Sequence, residues 1–252
     1  MRQLEGLFVE ASRADHMARA ADAPADVEGF VAWFEDLKQT GPGQDDPLFP
    51  WLAEAASMEQ MRWFLEQEVA GEAGFDDLVA LTQVKLPARA KLELARNYWD
   101  EMGRGAEEGM HGPMLDQLAR ALDLKPTIDT TIVPALALGN TLVAFATTRR
   151  YAFHSIGALG AVELTAPWRA AHVAAGLKRL GVGKERRYFA LHSTLDIKHS
   201  EAWNAEVLRP LVEADPGCAR HIAEGALMRL DCGRRCFDAY RAHLWRPLAL
   251  AG

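Results

Sequence analysis

Cysteine is scarce in this chain. Three occur in 252 residues, Cys218, Cys232 and Cys236, all within the last 35 positions. An odd, small number of thiols excludes a disulfide framework and suits reduced side chains in a cytoplasmic protein. No apolar run of about 18 residues exists, so no membrane-spanning helix is expected. The opening, MRQLEGLFVEASRADH, is amphipathic and too charged for a secretory signal. A basic stripe is also missing: the net charge is -7 and the two signs are interspersed, which argues against a nucleic-acid partner. There is no internal repeat and no low-complexity linker. Strand-like alternation is confined to TTIVPAL, where Pro134 argues against a central strand.

What the chain has is helical periodicity over a composition that is 49% hydrophobic, enough for one large core. Apolar positions at three- and four-residue steps predict helices over 4–21, 24–38, 51–82, 87–101, 111–123, 135–160, 162–180, 184–212 and 216–245. Breakers fall between them: TGPGQDDP at 40–47, GRGAEEG at 103–109, LKPTID at 124–129, GVGKE at 181–185 and ADPG at 214–217. Thr127, Asp129 and Thr130 offer side-chain oxygens for a helix start near that third breaker. The simplest account is one all-α domain over residues 1–252.

The segment YFALHSTLDIKHSEAW, 188–203, carries His192, Asp196 and His199. At helical spacing these three leave the axis within about 60° of arc. An exposed polar face would normally hold Lys and Glu between polar flanks. Here the flanks are apolar and the stripe is imidazole and carboxylate. A second segment, NYWDEMGRGAEEGMHGPML, holds Glu101, Glu107, Glu108 and His111. A third, AFHSIGALGAVELTAPW, isolates Glu163 after a long run of small and apolar residues. A carboxylate there needs a partner or a cation, and Arg169 is one candidate partner. Mixed nitrogen and oxygen donors without thiolate favour iron or manganese over structural zinc. A ferritin-like site needs two Glu-x-x-His motifs, and only Glu108 to His111 provides one.

The order of these residues resembles the haem-oxygenase-like di-iron oxidases and oxygenases, the iron-containing redox enzymes. It runs from a Glu and a His, to a lone Glu about 60 residues on, to His-x3-Asp-x2-His about 30 residues later, and covers roughly residues 55–245. The surrounding words WDEMGRG, IGALGAVEL and YFALHSTLDIKHSEAW carry the likeness. The resemblance implies a bundle of about seven to nine helices. It implies two non-haem irons per chain, held by Glu101, His111, Glu163, His192, Asp196 and His199. Glu101, Glu163 and Asp196 would be its catalytic carboxylates, with Glu163 or Glu101 bridging. O2 would be the co-substrate, and the reaction C–C cleavage, hydrogen abstraction or N-oxygenation. Relatives decarboxylate or fragment fatty acids and amino acids, or oxygenate nitrogen in natural-product biosynthesis. A small amino-acid-like or fatty-acid-like molecule is the implied substrate, with an external electron donor and a homodimer as further partners.

Glu101 and His111 would lie about 15 Å apart on a straight helix, so the chain must bend between them, and Gly103, Gly105 and Gly109 permit it. Glu108, one turn before His111, competes with Glu101 for the place beside it. Glu68 or Glu72 would add a carboxylate if their helix approaches. His154 reads equally as a contact near the site or a core histidine, and Arg149 and Arg150 as a carboxylate clamp or surface charge. Two other readings keep the fold without the iron or the chemistry. One is a metal-free enzyme of the thiamin-salvage or quinone-forming type, although no cysteine lies among the ligand segments. Haem itself would have His16 near the chain start but would leave the other ligands unexplained. The other is a non-catalytic helical interaction protein.

Overall fold

Caps and breakers set where each helix starts and stops. The computed structural model describes residues 2–72 and 74–245, so the ends of the expected 1–252 domain lie outside the described residues. In chain order the helices are α1 (Arg2–Ala20), α2 (Val27–Thr40), α3 (Leu48–Glu54), α4 (Met58–Gly71), α5 (Phe75–Thr82) and α6 (Ala88–Glu101). They continue with α7 (His111–Ala121), α8 (Val133–Thr147), α9 (Ala152–Arg179), α10 (Arg187–Trp203), α11 (Arg209–Ala214) and α12 (Cys218–Leu244). Ten of these have eight residues or more, above the expected seven to nine, and α3 and α11 are shorter. Among the described residues there is no strand, only one isolated bridge between Met102 and Met110. No helix among them is long and apolar enough to cross a membrane.

The extra helices come from breaks that apolar periodicity does not reveal. The expected helix over 51–82 is three helices. Ser57 and Gln60 form a reciprocal capping box that starts α4. Beyond its end, the Glu72 carboxylate accepts the Gly74 and Phe75 N–H groups at 2.9 and 3.1 Å and turns the chain into α5. The break expected after residue 160 lies instead at 148–151, between α8 and α9. Thr127 and Thr130 bond to each other in a turn and do not cap α8. Its first free donor, Ile132 N–H, is taken by Gln67 of α4 at 2.9 Å. The expected helix 184–212 becomes α10, a π-turn over Asn204–Leu208, and α11, whose Pro210 cannot donate to the ladder.

The long α9 is the central helix, packed along α10 and α12 and against α3. Its run of small residues is a packing seam and not a breaker. A Cβ on Gly157 would collide with the Ile222 carbonyl, and one on Gly225 with the His154 carbonyl. One on Gly160 would meet Trp203 Nε1 at 2.5 Å. Backbone-to-backbone approach therefore locks α9 against α12. Beside that seam, Glu224 of α12 is fully buried. It receives Arg13 Nε of α1 at 2.7 Å, His154 Nε2 of α9 at 2.9 Å and Arg220 Nε at 3.2 Å. His154 is thus a paired core histidine. Burial pushes the Glu224 carboxyl up, but the bonds from Arg13 and His154 outweigh it and hold the group at about 2.

Two outcomes follow for stability. Gly157→Ala should lose about 1–3 kcal/mol by urea unfolding. Gly6→Ala on α1, with nothing near its Cβ position, should gain about 0.5–1 kcal/mol. Equal effects would show that the α9–α12 seam is not tight. Glu224 has a folded value near 2, below its ordinary 4.5. Its stabilisation is present above the unfolded value and lost as pH falls through the folded one. Acid unfolding curves should show this as a loss of about 3 kcal/mol that Glu224→Gln flattens; parallel curves would refute it.

Candidate metal centre

The ligand-type residues between α6 and α7 are brought together by a closed excursion of the chain. Glu101 is the last residue of α6 and His111 the first of α7. Between them two 3-10 turns carry the chain out and back, and the Met102–Met110 bridge closes the base. Gly103 has φ of +59°, and a Cβ there would lie 2.4 Å from the Gly109 carbonyl carbon. Only glycine fits both the left-handed backbone and the closure. The bend expected from the three glycines is therefore a complete loop. It leaves Glu101 Oε2 2.6 Å from His111 Nδ1. Glu107 and Glu108 sit on the exposed outer part of the loop.

Helices α9 and α10 supply the rest. Glu163 stands on α9 four residues before Pro167, which has no N–H to give the Glu163 carbonyl. His192, Asp196 and His199 share one face of α10. His192 Nδ1 lies 3.0 Å from Asp196 Oδ1, and His199 Nδ1 lies 3.4 Å from Glu163 Oε2 and 3.9 Å from Asp196 Oδ1. The His111 and His192 rings meet edge to face with centroids 4.7 Å apart. Two groups result, each with donor atoms within 4.8 Å of one another: Glu101, His111 and His192, then Glu163, Asp196 and His199. Five of the six are buried and His192 is half-buried.

These atoms converge without satisfying one another. His111 Nδ1, His192 Nε2 and His199 Nδ1 are buried and lack an aligned hydrogen-bond partner. Lone pairs aimed at carboxylate oxygens in a dry volume are what a cation needs. Burial acts against charge on His192, but Asp196 foremost, with Glu101 and Glu163, raises it to about 9. Burial likewise acts against charge on His199, and Glu163 then Asp100 raise it to about 9. Asp196 is itself raised, first by burial and then by Glu163. The donor set of three carboxylates and three imidazoles fits iron or manganese.

Three neighbours that sequence reasoning passed over hold the donors in place. Asp100 Oδ2 lies 3.2 Å from His199 Nε2, so that nitrogen carries the proton and Nδ1 faces the carboxylates. Arg104 Nε donates to the other Asp100 oxygen at 2.6 Å. Asn97 Nδ2 donates to Glu163 Oε1 at 2.6 Å, so Glu163 pairs with Asn97 and not with Arg169. The signal was present in NYWDE, where Asn97 lies one helical turn before Glu101, but such polar residues usually face solvent.

A cavity of about 170 Å³ opens beside both groups. Its wall includes Phe49, Leu142, Val173 and Phe189, together with Glu101, Glu163, His192 and Asp196. Glu68 and Glu72 also line it but join neither group: Glu68 accepts the Tyr240 hydroxyl at 2.9 Å, and Glu72 holds the turn into α5. A third group, His154, His221 and Glu224, is already neutralised by Arg13 and Arg220 and has no need of a cation. Arg149 and Arg150 are exposed, with Arg150 paired to Glu10 at 3.0 Å. His16 bonds the Ser12 carbonyl at 2.7 Å, and all three cysteines are buried and free.

Residues 62–234 match the family model described as "Iron-containing redox enzyme", and the chain belongs to that family, whose fold is haem-oxygenase-like. No curated protein matches its sequence. A solved structure of a CadD-like protein of unknown function from Nostoc punctiforme PCC 73102 is similar, with TM-score 0.64 and 19% identity over 86% of this chain and 98% of that one. A second structure of that protein gives TM-score 0.62 and 19% identity over 87% and 96%. At that identity the likeness shows the fold.

The base of the loop sets the distance between Glu101 and His111. Gly103→Ala should weaken Fe(II) binding roughly tenfold in a chelator competition, because opening the loop base separates the two residues. Gly112→Ala, whose Cβ would meet nothing, should bind like wild type. Wild-type iron retention by Gly103→Ala would reject this account.

Proposed function

We propose that this iron-containing redox enzyme is a non-haem di-iron oxidase or oxygenase. It would use O2 to oxidise a small amino-acid-like or fatty-acid-like metabolite. One observation carries the reading: two adjacent buried groups, each with carboxylate and imidazole donors and neither with a thiolate. Glu101, His111 and His192 would hold one ion, and Glu163, Asp196 and His199 the other. Asp196 stands between them, near the imidazoles of both groups.

Bound ferrous ions would supply the electrons that reduce O2 and thereby the oxidising power for C–C cleavage, hydrogen abstraction or N-oxygenation. The residues of the chain do the rest. Asp100 fixes the His199 tautomer, and Arg104 keeps Asp100 ionised and in place. Asn97 restrains one Glu163 oxygen and leaves the other toward His199. Tyr188, one turn before His192, packs its ring 4.5 Å from that imidazole and limits its rotation. The apolar wall of the cavity keeps bulk water from the donors and holds the substrate carbon near them. An external donor would return electrons when the reaction consumes more than the substrate gives.

Iron analysis after anaerobic Fe(II) loading, followed by O2 uptake, tests this. Wild type should hold about two irons per chain and consume O2. His192→Ala and His199→Ala should lose stoichiometric iron and O2 uptake while keeping wild-type helicity. Asp100→Asn, which leaves all six donors, should weaken iron by about 10–100-fold. A wild-type chain with no stoichiometric iron would defeat the proposal.

A further inference from the structure

The cavity beside the metal groups is also lined by two cationic side chains. Arg169 of α9 and Arg229 of α12 both line it, together with Glu68 and Tyr240. Among the described residues no carboxylate oxygen comes within ion-pair distance of either guanidinium. Arg169 gives one bond, Nη2 to Thr165 Oγ1 at 2.7 Å, and lies 5.6 Å from the Phe237 ring centroid. Arg229 Nε and Nη1 are buried and have no acceptor at all. Glu68, whose charge acts on both arginines, accepts from the Tyr240 hydroxyl instead.

Two guanidiniums enclosed with so few acceptors are costly to bury. Burial lowers Arg169 to about 9, helped by the like charge of Arg229, and burial also lowers Arg229. Burial pushes Glu68 up, toward its neutral form, so it is a poor counter-charge. A guanidinium presents a planar fork of donors that matches a carboxylate in two bonds. An anion entering the cavity would satisfy the guanidiniums, as a cation would satisfy the metal groups.

We infer that Arg229 and Arg169 form an anion subsite that takes the carboxylate of a compact substrate and holds its apolar body between them and the metal groups. The inference rests on reading the cavity as the substrate space of the proposed iron enzyme. Size sets the class. An apolar cavity of about 150 Å³ accommodates benzene, so the 170 Å³ here suits a body of about six carbons. Glu163 and Arg169 are six residues apart on α9, about 9 Å along its axis. A short carboxylate spans that distance with its far carbons toward the metal groups, and a long acyl chain does not fit.

Calorimetric binding of hexanoate, hexanamide and hexadecanoate to the full chain, iron-loaded and chelator-stripped, tests the subsite. Hexanoate should bind both forms, and hexanamide roughly tenfold or more weakly. Hexadecanoate should not bind. Arg229→Gln should weaken hexanoate roughly tenfold and leave hexanamide unchanged. Arg169→Gln serves if Arg229→Gln fails to fold, and Glu68→Gln should bind hexanoate at least as tightly as wild type. Equal affinity for hexanoate and hexanamide would overturn the inference, as would indifference to both arginine variants. Binding only to the iron-loaded form would also overturn it, since the carboxylate would then sit on metal. Hexanoate binding to a chain that never retains iron would sink the iron reading and leave the subsite standing.

Discussion

Three carboxylates and three imidazoles share one dry volume between α6, α7, α9 and α10, and the local architecture follows from keeping them there. Each buried carboxylate raises the proton affinity of its neighbours. His192 and His199 are therefore lifted to about 9 although burial opposes their charge. Protons on two imidazoles are one way to neutralise the cluster. A divalent cation would be another, because it takes the imidazole lone pairs and the carboxylate charge together. Asn97 and Asp100 make sense in the same terms. Each restrains an atom on the outer side of a donor and leaves the inner atom available.

Holding such a cluster requires a frame that does not relax around it. The α9–α12 seam supplies one. Gly157 and Gly225 let two backbones touch, so no side chain between them can yield. The Glu224 knot with Arg13 and His154 fastens α1 to the same seam with charge. Pro167 frees the carbonyl of Glu163 at the turn where α9 meets the cavity. Rigid packing on one side of α9 and a broken ladder on the other give that helix both a fixed axis and a local irregularity at the site.

The sequence carried the helical class and the facing of 192, 196 and 199, because both depend on local period alone. It also carried the need for a bend between Glu101 and His111, because glycine is the one residue whose backbone freedom is written in its name. It misplaced the α8–α9 boundary, which lies at 148–151. Glycine also marks close helix packing, and IGALGAVEL at 156–164 is a packing run. The split of 51–82 depends on Glu72 folding back to its own downstream amides, a contact invisible to apolar spacing. Arginine posed a similar difficulty. Arg149 and Arg150 stood out as adjacent charges and are exposed, whereas Arg169 and Arg229 lie on separate helices and meet only in the folded chain.

That last point bears on how the cavity works. Its charged lining comes from residues far apart in sequence, but α9 contributes both signs, Glu163 and, six residues on, Arg169. Opposite charges on one rigid helix cannot be brought together, so they do not cancel. The field between them is built into the fold and costs no reorganisation when a ligand arrives. In the metal-free chain a molecule with an anionic head and a neutral body has one favourable orientation in such a field, head toward Arg229 and body toward Asp196. The reversed orientation would set a carboxylate among Glu101, Glu163 and Asp196. Before metal binds, orientation is thus set by electrostatics ahead of shape complementarity; with cations in place the unpaired guanidinium of Arg229 supplies the preference for the carboxylate.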